Sequence, residues 1–263
     1  METVGLIGGS GLAALVDGET TDRPTPFGPA TVTTGALGGR PVAFLARHGA
    51  GHTIPPHRIN ARANMWALAS LGVRAVVSTA AVGSLRRELP PESWAIPDQL
   101  LDRTWGRADT YYDGDLVRHL PFADPFCPEL RRIALDAVPD AAPRATVAVI
   151  QGPRFSTRAE SAVLRATGID LVNMTLCPEV ALAAELGMGT VTLCLVTDTD
   201  TGHVEEDPDA VTAELVFRRL AEARPRVLAA LERIVAAIPV GYAPPPLIDD
   251  EAVAHVLSRP VAR

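Results

Sequence analysis

Residues 190–200 read TVTLCLVTDTD. The run 190–196 is too short for a core helix and suits a strand buried on both faces. It breaks into Thr197-Asp198-Thr199-Asp200. Two carboxylates at i and i+2 just past a buried strand are costly unless partnered. They either cap a turn, or recognise or protonate a nitrogen base.

A doubly buried strand needs neighbours of its own kind, and the chain offers them. Strand patterns fall at 4–8, 30–34, 42–46, 73–81, 94–101, 146–150 and 171–174. Helical spacing falls at 60–71, 128–138, 157–167, 178–186 and 250–257, and at 209–238 with an interruption near Pro225. The alternation predicts an α/β fold: one domain with a central mixed β-sheet flanked by helices. That domain is read as residues 1–240. Residues 241–263, with Pro244-Pro245-Pro246, form a tail that either closes over the site or trails in solvent.

Composition narrows the function classes. The chain has 263 residues, 47% apolar and 21% charged, with net charge −7. It contains no lysine, so every fixed cation is an arginine. An acidic balance argues against general nucleic-acid binding. No apolar run approaches the roughly 20 residues of a membrane span, and the N-terminus lacks a signal-peptide pattern. Cytoplasmic location is the expectation. Cys127, Cys177 and Cys194 form no CxxC pair or zinc spacing, which fits reduced thiols.

In open α/β sheets, sites lie beyond the carboxyl ends of strands. Four loaded segments stand there: 8–11, 47–57, 79–84 and 197–200. Gly8-Gly9-Ser10-Gly11 lets backbone N–H groups approach an anion, with the Ser10 hydroxyl adding a donor. Residues 9–14 also fit GxGxxA, but no acidic residue ends a second strand about 20 positions on, as a dinucleotide site requires. Arg47-His48-Gly49-Ala50-Gly51-His52 suits an oxyanion, with the Arg as charged fork. His48, His52 and His57 admit a metal reading, yet Gly and Pro separate them and no acidic ligand is near; no metal is expected. No GxSxG elbow supports a serine hydrolase. In the segment 151–160, Ser156 or Thr157 with Glu160 can form a capping box, and Phe155 is either core or a platform for a planar ligand.

Ten ordered blocks then resemble one family. They are IGGSGL at 7–12, TPFG at 25–28, ARHGAGHT at 46–53, NARANMWAL at 60–68 and STAAVGSL at 78–85. PDQLLDRT at 97–104, PFADPFCP at 121–128, QGPRFSTRAES at 151–161, LVNMTLCPEVALAAELG at 171–187 and VTDTD at 196–200 complete the set. The chain resembles the methylthioadenosine phosphorylase branch of the trimeric purine nucleoside phosphorylase family. The resemblance implies that phosphate attacks C1′ of a purine nucleoside through an oxocarbenium-like transition state. It implies no cofactor, inorganic phosphate as co-substrate, and a homotrimer.

By position, the resemblance makes Ser10, Arg47, His48 and Thr175 phosphate ligands, joined by backbone groups at Ala80 and Ala81. Met174 lies against the ribose and Phe155 stacks on the base. Ser156, Asp198 and Asp200 form the base-recognition set, with Asp198 facing purine N7 as the catalytic general acid or a strong hydrogen-bond partner and Asp200 accepting from a 6-amino group; Thr199 is a further substrate-binding residue. His119 resembles a residue lent by a neighbouring subunit to the 5′ group, which Ala213 and Val216 also contact. A carboxylate pair favours adenine over 6-oxopurines, and a buried polar mismatch can cost factors on the order of 10⁴.

The departures are Ser10 and Ala80 where the branch carries Thr, Thr199 where it carries Tyr, a smaller residue at Ala213, and about two extra residues before that helix, read from its apolar spacing. These leave the reaction class and open the 5′ substituent. The alternatives are methylthioinosine, a 6-oxopurine nucleoside, a 5′-halo- or 5′-deoxyadenosine, and a nucleoside-binding protein without catalysis.

Overall fold

A computed structural model describes residues 2–12, 15–204 and 206–261. Ala13 and Ala14, the last two positions of the GxGxxA reading, lie outside the described residues. The strands are β1 (Val4–Gly8), β2 (Gly18–Arg23), β3 (Ala30–Leu37), β4 (Arg40–Ala46), β5 (Ala75–Ser84), β6 (Trp94–Ala95), β7 (Gln99–Arg103), β8 (Thr146–Ile150), β9 (Leu171–Asn173) and β10 (Gly189–Asp198). The helices are α1 (Ala61–Ser70), α2 (Pro128–Ala137), α3 (Arg158–Ala166), α4 (Leu176–Glu185), α5 (Ala213–Ala237) and α6 (Asp250–Leu257).

The strands form one mixed sheet in the order β2-β3-β4-β1-β5-β9-β8-β7, with β10 paired to β5 and to β6. The organising strand is β5. It runs parallel to β1 and to nearly the whole of β10. At Gly83 and Ser84 it also pairs antiparallel with β9. The sheet therefore forks at the carboxyl end of β5, and the fork opens between the ends of β10 and β9.

Side-chain alternation sends each strand's residues to two cores. Leu6, Val77 and Leu193 pack with Leu130 and Ile133 of α2 and Leu220 and Leu231 of α5. Ile7 and Val76 face the other way, onto Met65 and Trp66 of α1, Leu182 of α4 and Val253 of α6. This is the predicted arrangement of a mixed sheet with helices on both faces. The tail belongs to the second core: α6 lies on α1, and Trp66 Nε1 donates to the Val256 carbonyl at 3.1 Å. Among the described residues no helix is long and apolar enough to cross a membrane.

Three expectations are revised. The strand read at 94–101 is two strands, because β6 pairs with β10 and β7 with β8, and Pro97 lies between them. The helix at 213–237 runs through Pro225 without a break. Pro225 is exposed, so solvent can satisfy the carbonyl it frees, while Ala223 and Val227 stay buried. The edge strand β2, GETTDR, had no reading in the sequence; all but its last residue are exposed, so it carries no apolar alternation.

Candidate active site

One cavity of about 550 Å³ occupies the fork. Its wall includes Ser10, Arg47, His48, Ala80, Ala81 and Thr175 at one end, and Asp198 and Asp200 at the other. The sequence separates these residues widely. The sheet gathers them because β1, β4, β5 and β10 are parallel neighbours that all end on this side.

At the first end, Arg47 follows β4 and is 2% exposed. Its Nε and Nη2 donate to the two carboxylate oxygens of Glu179, each at 2.7 Å. Its Nη1 donates to the Thr79 carbonyl at 3.0 Å. Three of the five N–H groups are thereby held, in a bidentate pair of the kind that fixes guanidinium orientation. The remaining two N–H groups are the ones available to an anion. Gly9 must be glycine here, since a Cβ would stand 2.9 Å from the Thr79 carbonyl oxygen and 3.2 Å from Arg47 Nη1.

His48 Nδ1 lies 2.9 Å from the Ile54 carbonyl oxygen. A carbonyl only accepts, so the proton sits on Nδ1. Burial, with Arg47 adjacent, pulls the ring down to about 4. At neutral pH His48 is therefore uncharged and Nε2 carries a lone pair that can accept a hydrogen bond. Asn173 frames the rest of this end. Its Nδ2 donates to the Ala81 carbonyl at 3.1 Å, and its Oδ1 accepts from the backbone N–H of Thr175 at 2.7 Å and Leu176 at 2.9 Å. The Thr175 hydroxyl stands a long 3.3 Å from the same oxygen, a contact that a bound anion can replace.

At the second end, Asp198 closes β10. Its carboxylate accepts from the Thr197 hydroxyl at 2.8 Å and from the Asp200 N–H at 2.9 Å. Gly83 of β5 lies against it: a Cβ there would stand 2.7 Å from Asp198 Oδ1. Burial pushes the Asp198 carboxyl above its usual range. Burial, with the Asp198 charge adding, pushes Asp200 up to about 6. Asp200 holds a left-handed backbone, φ 53°, and accepts a hydrogen bond from Ser161 of α3. Raised carboxyls facing a cavity are the signature of proton-handling sites.

Between the ends, Met174 and Phe155 line the wall. Phe155 is 38% exposed, so it is a wall ring and not core. Ile54, Pro56, Val211, Ala213, Val216 and Phe217 make the remaining wall apolar. His52 bridges across, with its ring 4.4 Å from that of His48 and 5.1 Å from that of Phe217.

Three expected residues stand elsewhere. Thr199 is buried but points away from the cavity, its hydroxyl donating to Asp207 at 3.0 Å. The turn alternates, so the residue between two inward carboxylates faces outward. His119 is exposed and does not line its own chain's cavity. Ser156 is not in the wall either; its buried hydroxyl lies behind the wall beside Asp200, whose carboxyl it helps to keep ionised. The capping box falls to Thr157 and Glu160.

Sequence reading did not find four supporting residues: Glu179, Asn173, Arg107 and Arg219. Arg107 donates to the carbonyls of Gln151, Met174 and Cys177, joining the Phe155 loop to the Thr175 turn. Arg219 of α5 donates to the Thr197 carbonyl at 2.7 Å and pairs with Asp209. Each makes at least one contact 22 or more residues away in sequence, which no local pattern marks.

The chain is similar to known phosphorylases in sequence and in structure. The chain is 44% identical to the S-methyl-5′-thioadenosine phosphorylase of Thermofilum pendens, over 90% of this chain and 92% of that one. It is 45% identical to a purine nucleoside phosphorylase of Streptomyces coelicolor, over 90% and 89% of the two chains. The structure superposes on an adenosine/methylthioadenosine phosphorylase from Schistosoma mansoni, crystallised with tubercidin, with TM-score 0.84 and 36% identity over 90% and 91% of the chains. Residues 3–236 match the model of the phosphorylase superfamily, and to that family this chain belongs.

Proposed function

We propose that the protein cleaves 5′-methylthioadenosine by phosphorolysis, giving adenine and 5-methylthioribose 1-phosphate. The observation that carries this reading is a single cavity with an anchored arginine at one end and two raised carboxyls at the other. Phosphate lies against Ser10, Arg47, His48, Thr175 and the backbone at Ala80 and Ala81, beneath C1′. Its charge stabilises the oxocarbenium-like sugar. Met174 borders the ribose and Phe155 covers the base. Asp198, whose affinity for a proton burial raises, delivers a proton to N7 as the glycosidic bond breaks. Asp200 and Ser156 complete base recognition. Ala213 and Val216, within the apolar wall, receive the methylthio group.

No resident cofactor enters this scheme; phosphate is the co-substrate. We place the enzyme in the cytoplasm and take the working unit as a homotrimer. The exposed His119, outside its own cavity, supports a role on a neighbouring copy.

A second reading has one observation in its favour. Burial pushes both carboxyls toward the neutral acid, and a neutral acid can donate to a 6-oxo group as well as accept from a 6-amino group. A 6-oxopurine nucleoside is therefore the competing substrate. The two separate in one assay: base release from methylthioadenosine and methylthioinosine, each with and without phosphate. Adenine released only with phosphate is the expected result. Hypoxanthine alone would keep phosphorolysis and overturn the base assignment, and release without phosphate would overturn the reaction class.

A further inference from the structure

Arg219 sits on α5, two residues beyond Phe217 in the apolar wall, yet its guanidinium turns to the end of β10. Nη1 donates to the Thr197 carbonyl at 2.7 Å, one residue before Asp198. Nη2 pairs with Asp209. The Asp209 carbonyl in turn accepts from the Thr199 N–H at 2.8 Å, and the Asp200 carbonyl accepts from the Val211 N–H at 2.7 Å. The arginine thus closes a ring of bonds around the turn that carries both carboxylates. Its side chain is only 13% exposed, so its charge is poorly screened where it faces Asp198.

The charges around Asp198 are few. Its own turn contributes Asp200. The facing end of β5 offers Val82, Gly83 and Ser84, none charged. From α3, Arg165 faces Asp200. From α5, Arg219 faces Asp198, with Asp209 behind it. A buried acid that must give up a proton and later regain it works best when its affinity lies near the working pH. Burial raises the proton affinity of Asp198, and the nearby Arg219 cation lowers it again.

We propose that Arg219 is a positioning residue for the reaction, fixing the backbone under Asp198 and placing a positive charge beside its carboxylate. This rests on the reading of Asp198 as the acid that protonates the leaving base. It adds a role for α5 beyond walling the 5′ end of the cavity.

The test is the pH profile of kcat for adenine release in Arg219→Gln and Arg219→Lys, with Asp198→Asn beside them. Arg219→Gln removes the charge, so Asp198 holds its proton to higher pH. The alkaline limb moves up by about one pH unit, kcat falls about tenfold from lost positioning, and the phosphate KM is unchanged. Arg219→Lys keeps the charge and loses the fork, so the limb returns to its original place while kcat stays below wild type. The proposal is overturned if Arg219→Gln keeps the wild-type limb, or if Arg219→Lys shifts it as far as Arg219→Gln. If Asp198→Asn releases adenine at the wild-type rate, the failure lies instead with the reading of Asp198.

Discussion

At the anion end of the cavity the guanidinium of Arg47 lies flat against Glu179, and the neighbouring His48 is uncharged. At the base end, two carboxylates share one turn, and neither makes an ion pair among the described residues. One end answers its charge with an opposite charge at 2.7 Å. The other supplies no opposite charge, and burial raises the proton affinity of both carboxyls. The first arrangement suits a group that must stay ionised and aimed. The second suits a group that must pass a proton. The same degree of burial therefore serves opposite purposes, according to whether a partner is supplied.

The contrast can be broken at either end. Asp198→Asn keeps the shape and removes the transferable proton. We expect kcat for adenine release to fall by about 10²–10⁴, with the phosphate KM little changed; steady-state assays with phosphate varied and nucleoside saturating check this. Full activity in that variant would mean that the base end binds and does not protonate.

Glu179→Gln sets an amide N–H against one guanidinium N–H and turns Arg47 out of alignment. The phosphate KM should rise about tenfold, because a displacement near 1 Å suffices for such losses, while the nucleoside KM holds. A fall in the phosphate KM would reverse the account, showing that Glu179 weakens the anion site by cancelling charge more than it strengthens it by aiming the fork.

The smallest effect concerns stability. The folded state holds His48 at about 4, against about 6.5 when unfolded. The unfolded chain therefore takes up this proton first as pH falls, and stability declines between about 6.5 and 4. In His48→Asn that contribution is absent. Between pH 7 and pH 5 the variant should lose about 2 kcal/mol less stability than wild type, read from denaturant midpoints at the two pH values. Equal losses would place a charged His48 in the native site and undo the acceptor assignment for Nε2.

The strands that matter most were legible in the sequence because burial on both faces leaves a mark, as at 190–196. The gathering of Ser10, Arg47, Ala80 and Asp198 in one crevice followed from their place at strand ends, whereas Thr175 entered through the family resemblance. What stayed hidden was of two kinds. Strand β2 has no buried face, so nothing apolar alternates along it. Glu179, Arg107 and Arg219 are common residue types within ordinary helix or loop context, and their roles arise from contacts 22 to 132 residues away. Thr199 was assigned to the substrate through the family resemblance; in the structure its hydroxyl turns to Asp207, beside the left-handed Asp200.

The fork at Gly83 has a consequence for how such a molecule can be altered. One strand carries both Ala80 and Ala81 of the cavity wall and Gly83 beneath Asp198, whereas the segments 151–156 and 206–211 hang from other strands and bring Pro153, Phe155 and Val211 to the wall. Changes of substrate can therefore accumulate in those two peripheral segments while β5 stays fixed. A library confined to them would explore new nucleosides on an unchanged reaction, and a single methyl added at Gly83 would halt it for every nucleoside alike.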